Sequence, residues 1–217
     1  HATKCRLPRF IFDEDALGAV GPLGNFNPVG ANHILPVFYV YPYIRRDDMI
    51  HPPFGYDSSC NSTRRQRLID IVAPGPITLT RVDRDRNYYP NGTLASVHWT
   101  LRWKPLTANC STVTMSISQI VSISAAVQAK LPSRFSSCSK YKDSELNVRE
   151  GSSVQINAKF KDGQVLGQMG GQMGFGCGIA DTRGPNFRVH DKKVQAPWEF
   201  PSIYDDSLRY AICAMDL

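Results

Sequence analysis

Between residues 93 and 103 the chain alternates. Ala95, Val97, Trp99, Leu101 and Trp103 fall on one side, and Ser96, His98, Thr100 and Arg102 on the other. A period of two is the mark of a half-buried strand. Tyr89-Pro90-Asn91-Gly92, just before it, has the chemistry of a tight turn. A second alternating run covers residues 111–120, where Val113, Met115 and Ile117 are separated by polar side chains. Further strands are expected at residues 34–43, 77–82, 153–160 and 207–217, with clusters of Pro, Asn and Gly between them. Helical periodicity is weak and confined to residues 118–131. Short strands joined by long loops predict an all-β fold, a β-sandwich.

Composition narrows the class. A chain of 217 residues with 42% hydrophobic and 20% charged residues suits a single domain over 1–217, with no linker that would demand a second. No apolar run is long enough to span a membrane as a helix. Lys+Arg 25 against Asp+Glu 19 leaves a charge of +6, which favours a polyanionic partner. Three sequons, Asn61-Ser62-Thr63, Asn91-Gly92-Thr93 and Asn109-Cys110-Ser111, suggest glycosylation in a secretory pathway. Six widely spaced cysteines (Cys5, Cys60, Cys110, Cys138, Cys177, Cys213) contain no Cys-x-x-Cys pair, and their even count fits three disulfides. With His rather than Met at position 1, these features predict a secreted, extracellular protein whose signal peptide is already removed.

Function is expected in the loops. Residues 18–32 and 47–61 are irregular in composition, and residues 163–184 hold eight glycines. No P-loop lysine or dinucleotide spacing accompanies those glycines, so the stretch reads as a mobile surface loop. Acidic residues are scattered without a hydrolase-like pair. A Gly-x-Ser-x-Gly elbow is absent from the sequence.

His1 carries the most specific chemistry. A free N-terminal histidine offers its α-amine and an imidazole nitrogen, and both lose their protons to a metal near neutral pH. One further imidazole would complete a three-nitrogen site suited to copper. At the other end, Tyr210-Ala211-Ile212-Cys213-Ala214-Met215-Asp216-Leu217 resembles the C-terminal strand of lytic polysaccharide monooxygenases, which reads Tyr-x-x-Cys-Ala. Gly92-Thr93 through Trp99-Thr100 looks like that family's middle strand. The resemblance spans the two ends and the centre, about a fifth of the chain.

The resemblance implies an immunoglobulin-like or fibronectin-like sandwich holding one copper ion between His1 and a second His, with Tyr210 axial. The second ligand is expected at His98, with His51, His190 and His33 as alternatives. The loop 106–110, where the family usually places it, contains no His. Leu208 stands where many relatives have Gln, so Gln195 or Glu199 is the candidate to position oxygen. The family's bridge from the final Cys to an early loop suggests Cys60 with Cys213. The implied activity is oxidative cleavage of glycosidic bonds at C1 or C4, with an external reductant and O2 or H2O2 as co-substrate.

Arg45-Arg46, Arg64-Arg65-x-Arg67, Arg81-x-x-Arg84-x-Arg86 and Lys192-Lys193 point to an acidic polysaccharide as substrate. In length and charge the chain resembles a pectin-active group of the family from plant-pathogenic oomycetes. The expected state is a monomer that binds neither nucleic acid nor membrane. The competing class is a non-catalytic secreted copper-binding or glycan-binding protein.

Overall fold

A computed structural model describes residues 5–12, 17–21, 38–42, 45–46, 49–50, 68–135, 137–142, 148–169 and 175–181. Among these residues thirteen strands run in chain order: β1 (Leu17–Gly21), β2 (Phe38–Pro42), β3 (Arg45–Arg46), β4 (Met49–Ile50), β5 (Ile69–Val72), β6 (Ile77–Tyr88), β7 (Leu94–Pro105), β8 (Val113–Ile120), β9 (Ser122–Ile123), β10 (Ser137–Lys142), β11 (Val148–Phe160), β12 (Val165–Met169) and β13 (Phe175–Asp181). Every pairing among them is antiparallel. One sheet has the order β1-β2-β13-β8-β7-β6-β11-β10, a second has β5-β12-β9, and β3 pairs with β4. The all-β expectation holds. The immunoglobulin-like refinement of it stays a proposal. No helix among the described residues is long and apolar enough to cross a membrane.

The two larger sheets share one core. Ile69, Ile71, Leu166 and Met169 of the smaller sheet pack in the same cluster as Ile77, Leu79, Leu101, Trp103, Met115 and Ile117 of the larger. Burying these apolar faces against each other is what makes two half-polar sheets stable. In β7 the predicted alternation is clean only near the C-terminal end, where Leu101, Trp103 and Pro105 are buried and Arg102 and Lys104 exposed. Towards the other end, Trp99 and Val97 are half-buried and Ala95 is exposed. The long β6–β7 hairpin therefore runs out past the core.

Two irregularities adjust which residues face inward, and a third leaves that choice unchanged. In β6 a register shift between Leu79 and Arg81 lets Leu79 and Val82, three apart, both reach the core. In β8, Gln119 takes φ 64° in the left-handed region, and Ile117 and Ile120 are both fully buried. A third shift lies between Gln155 and Ala158 in β11. An extra residue resets the parity of a strand, which is the geometric use of a bulge.

At the tip of the β6–β7 hairpin the expected turn is present. The Gly92 amide donates to the Tyr89 carbonyl at 2.8 Å, and Gly92 sits at φ 83°. The Asn91 side chain accepts from the Thr93 amide at 2.9 Å.

The Gly-rich stretch does not form one surface loop. It contains β12 and β13, and Leu166 and Met169 are buried. The physical reason is close backbone approach. A Cβ on Gly167 would stand 2.5 Å from the Ser122 carbonyl oxygen, so glycine lets β12 pair tightly with β9. Likewise residues 18–21 of the first expected loop belong to β1, and residues 49–50 of the second to β4. The helical expectation at 118–131 reduces to α1 (Ala125–Gln128), whose Val127 amide is capped by Ser124 Oγ at 3.2 Å. The strand expected at 207–217 lies outside the described residues.

Candidate functional site

The segment from Cys5 to Phe12 is fixed at one end of the sheets. Cys5 is bonded to Cys110, and both are buried. Ile11 and Phe12 enter the core, Val72 donates its amide to the Ile11 carbonyl, and Arg9 pairs with Asp162 at 2.7 Å. Cys110 closes a short 3-10 turn, Ala108–Cys110, that follows the C-terminal end of β7. This bridge pairs two of the six cysteines, and Cys138, exposed with a free thiol, corrects the expectation that all six join in three disulfides. Cys60 and Cys213 lie outside the described residues, as do His1, His33, His51, His190, Gln195, Glu199, Leu208 and Tyr210.

His98 is described, half-buried on β7 and directly opposite Asp85 of β6. Alternation puts it with Thr100 and Arg102 on the face away from the Leu101–Trp103 core side. Asp83, one step along that face, takes Arg81 Nε at 2.6 Å on one oxygen and Arg102 Nε at 3.3 Å on the other. Asp85 is exposed as a residue, but its carboxylate lies low on the sheet, 3.3 Å from where a Cβ on Gly151 would stand. That covering by neighbours pushes its carboxyl up from the usual range. The like charge of Asp83 adds to the rise, and His98 and Arg149 pull it back.

A carboxyl raised on folding contributes stability below its unfolded pKa and loses that contribution as pH rises through the folded value. Asp85→Asn should therefore raise the thermal midpoint slightly at pH 7 and leave it unchanged near pH 3, where Asp85 is protonated in both states. A clear loss at pH 7 would mean that attraction to His98 and Arg149 outweighs the covering.

The disulfide sets a condition on His98 as a partner of His1. From His98 to Pro105 the strand covers about 23 Å, and the Cys5 anchor lies at the Pro105 end. The stretch from His1 to Cys5 can span at most about 14 Å. Among the described residues, no three His, Cys, Asp or Glu side chains are grouped to hold a metal. They supply one imidazole, backed by one carboxylate.

The basic run of β6 is not a single patch. Arg81 is paired on one face, whereas Arg84 and Arg86 point to the other. There Arg86 lies 3.8 Å from Glu150, which also accepts from the Tyr88 hydroxyl at 3.1 Å. Arg84 lies over the Phe135 ring at 4.5 Å and the Trp99 ring at 5.8 Å. This aromatic setting has no local signal along the chain, since Phe135 is far from β6. Arg45 and Arg46 pair across with Ile50 and Met49, and the remaining basic pairs lie outside the described residues. Asn91 and Asn109 are both exposed, as glycosylation would require.

The chain matches no protein-family model, no curated protein and no solved structure.

Proposed function

We propose that the protein is a secreted copper-dependent monooxygenase that cleaves a plant cell-wall polysaccharide oxidatively, an acidic one such as homogalacturonan. The observation that carries this reading is the coincidence of His1 with Tyr210-Ala211-Ile212-Cys213-Ala214 at the opposite end of the chain. Where processing frees the His1 amine, that amine and the imidazole would supply two nitrogen ligands. A second imidazole would supply the third, and Tyr210 would complete the donor set.

The all-antiparallel double-sheet architecture supports the reading, as does the buried Cys5–Cys110 bond, which fits an oxidising compartment. His98 has in its favour a carboxylate set directly opposite, the usual orienting partner of a ligating imidazole. The tether at Cys5 counts against it, and His33, His51 and His190 stand as its competitors. Bound copper would supply the redox chemistry for attacking a C–H bond beside a glycosidic linkage. The chain's own residues would hold the ion and present a charged face to the glycan.

The test is product formation. The protein with a free His1, copper and a reductant should release oxidised oligosaccharides from homogalacturonan. Product from cellulose with none from homogalacturonan would refute the pectin assignment. Tight copper binding with no product from any polysaccharide would leave a copper-binding protein.

A further inference from the structure

On the inner side of the hairpin's outer half, Arg84, Trp99, Arg134, Phe135 and Cys138 line a cleft of about 560 Å³. Its floor is unusual for a cation. Arg84 Nε is sealed from solvent with no hydrogen-bond partner, and aromatic rings cover the guanidinium. Covering lowers its pKa, with the nearby Arg86 adding to the effect. Among the described residues no carboxylate bonds this half-buried guanidinium, and Glu150 acts on it only through space, so its outer nitrogens remain free to pair with an incoming anion.

The charge continues beyond the cleft. Cross-strand register sets Arg84, Ser152 and Cys138 in one row, then Arg86, Glu150 and Lys140, then Tyr88, Val148 and Lys142. Alternation places these rows on the same face. Lys140 and Lys142 are exposed, and Glu150 is the only acid in the three rows.

We propose that this cleft binds a uronate unit of an acidic polysaccharide, with Arg84 taking the carboxylate and Trp99 the apolar face of the ring. The inference rests on the acidic-glycan part of the reading above and deepens it. Arg134 stands at the wall, and Arg86, Lys140 and Lys142 extend the track for neighbouring units. Aromatic and arginine side chains together select a carboxylated sugar over a neutral sugar, which lacks the charge, and over a simple anion, which lacks the ring.

The experiment is a calorimetric titration of the metal-free full chain with trigalacturonate, beside a neutral glucose trimer and acetate. Trigalacturonate should bind at least tenfold more tightly than either, and the binding should weaken in high salt. Arg84→Met should weaken it roughly ten- to hundredfold.

Cys138 provides an arm that does not depend on a variant's folding. Alkylating the protein with N-ethylmaleimide should block the cleft, trigalacturonate should slow that alkylation, and Cys138→Ser should bind normally with or without the reagent. Equal binding of the neutral trimer, or binding indifferent both to Arg84→Met and to alkylation, would overturn the assignment. A parallel copper titration separates the two proposals. A chain that takes copper but no uronate loses only this one, and a chain that takes uronate at the cleft but no copper loses only the monooxygenase.

Discussion

On the copper proposal, adding one residue ahead of His1 should abolish tight copper binding. The loss exceeds the roughly 10–100-fold that follows removal of an outer partner of a metal ligand, because a ligand itself is removed. The His1 amine becomes an amide nitrogen, which no longer offers a basic lone pair, and the imidazole loses its chelating neighbour. The pH dependence follows from the same donors. An α-amine titrates near 7.7–8.0 and an unperturbed imidazole at about 6.5, so copper must displace their protons in acid. Affinity should fall steeply below about pH 6, and less steeply in the extended chain, which has fewer protons to displace. Isothermal titration with a competing chelator reads both effects, and an affinity unchanged by extension would rule out the brace. The same titration on His98→Ala ranks the second ligand. A loss matching that of the extension assigns His98, and an unchanged affinity passes the role to His33, His51 or His190.

What the residues disclose in advance follows how local the signal is. The alternation at residues 93–103 and 111–120 anticipates β7 and β8 to within two residues at each end, because one face of each strand meets the core. β6 is read six residues too short, because residues 83–88 are mostly polar, run past the core and carry no apolar face to mark the strand's continuation. β12 was hidden by its glycines. Gly167 is required by the nearness of the Ser122 backbone, a tertiary fact, while its composition alone resembles a loop. Arg81, Arg84 and Arg86 look like one basic cluster in the sequence. Pairing with Asp83 removes the first, and the pleat sends the other two to the far face. The carboxylate opposite His98 could not be read either, since it depends on cross-strand register. The donors that define the copper proposal, His1 and Tyr210, are legible only as motifs.

Replacing Cys5 and Cys110 together by serine should cost about 4–5 kcal/mol of unfolding free energy. The bridge joins residues 105 apart, and closing a loop of that size restricts the unfolded chain by about 4.7 kcal/mol in the chain-entropy model. Both sulfurs are also buried, so two hydroxyls would enter an apolar cluster. Denaturant unfolding of the double variant should show a lower midpoint and a somewhat steeper slope, because the uncrosslinked unfolded chain exposes more surface. Its effect on copper should be far smaller, which separates scaffold from site. Four residues precede Cys5, and without the bridge the next anchors are Leu7, packed against the core, then the Arg9–Asp162 pair and the buried Ile11 and Phe12. The segment ahead of the first anchor then lengthens to six residues, and at most doubles to eight if Leu7 also lets go. Each doubling costs about 0.6 kcal/mol of closure entropy, so copper affinity in the folded state should fall at most about threefold. A loss of affinity as large as that caused by extending His1 would contradict this, and would mean that the disulfide itself sets the geometry of the copper ligands.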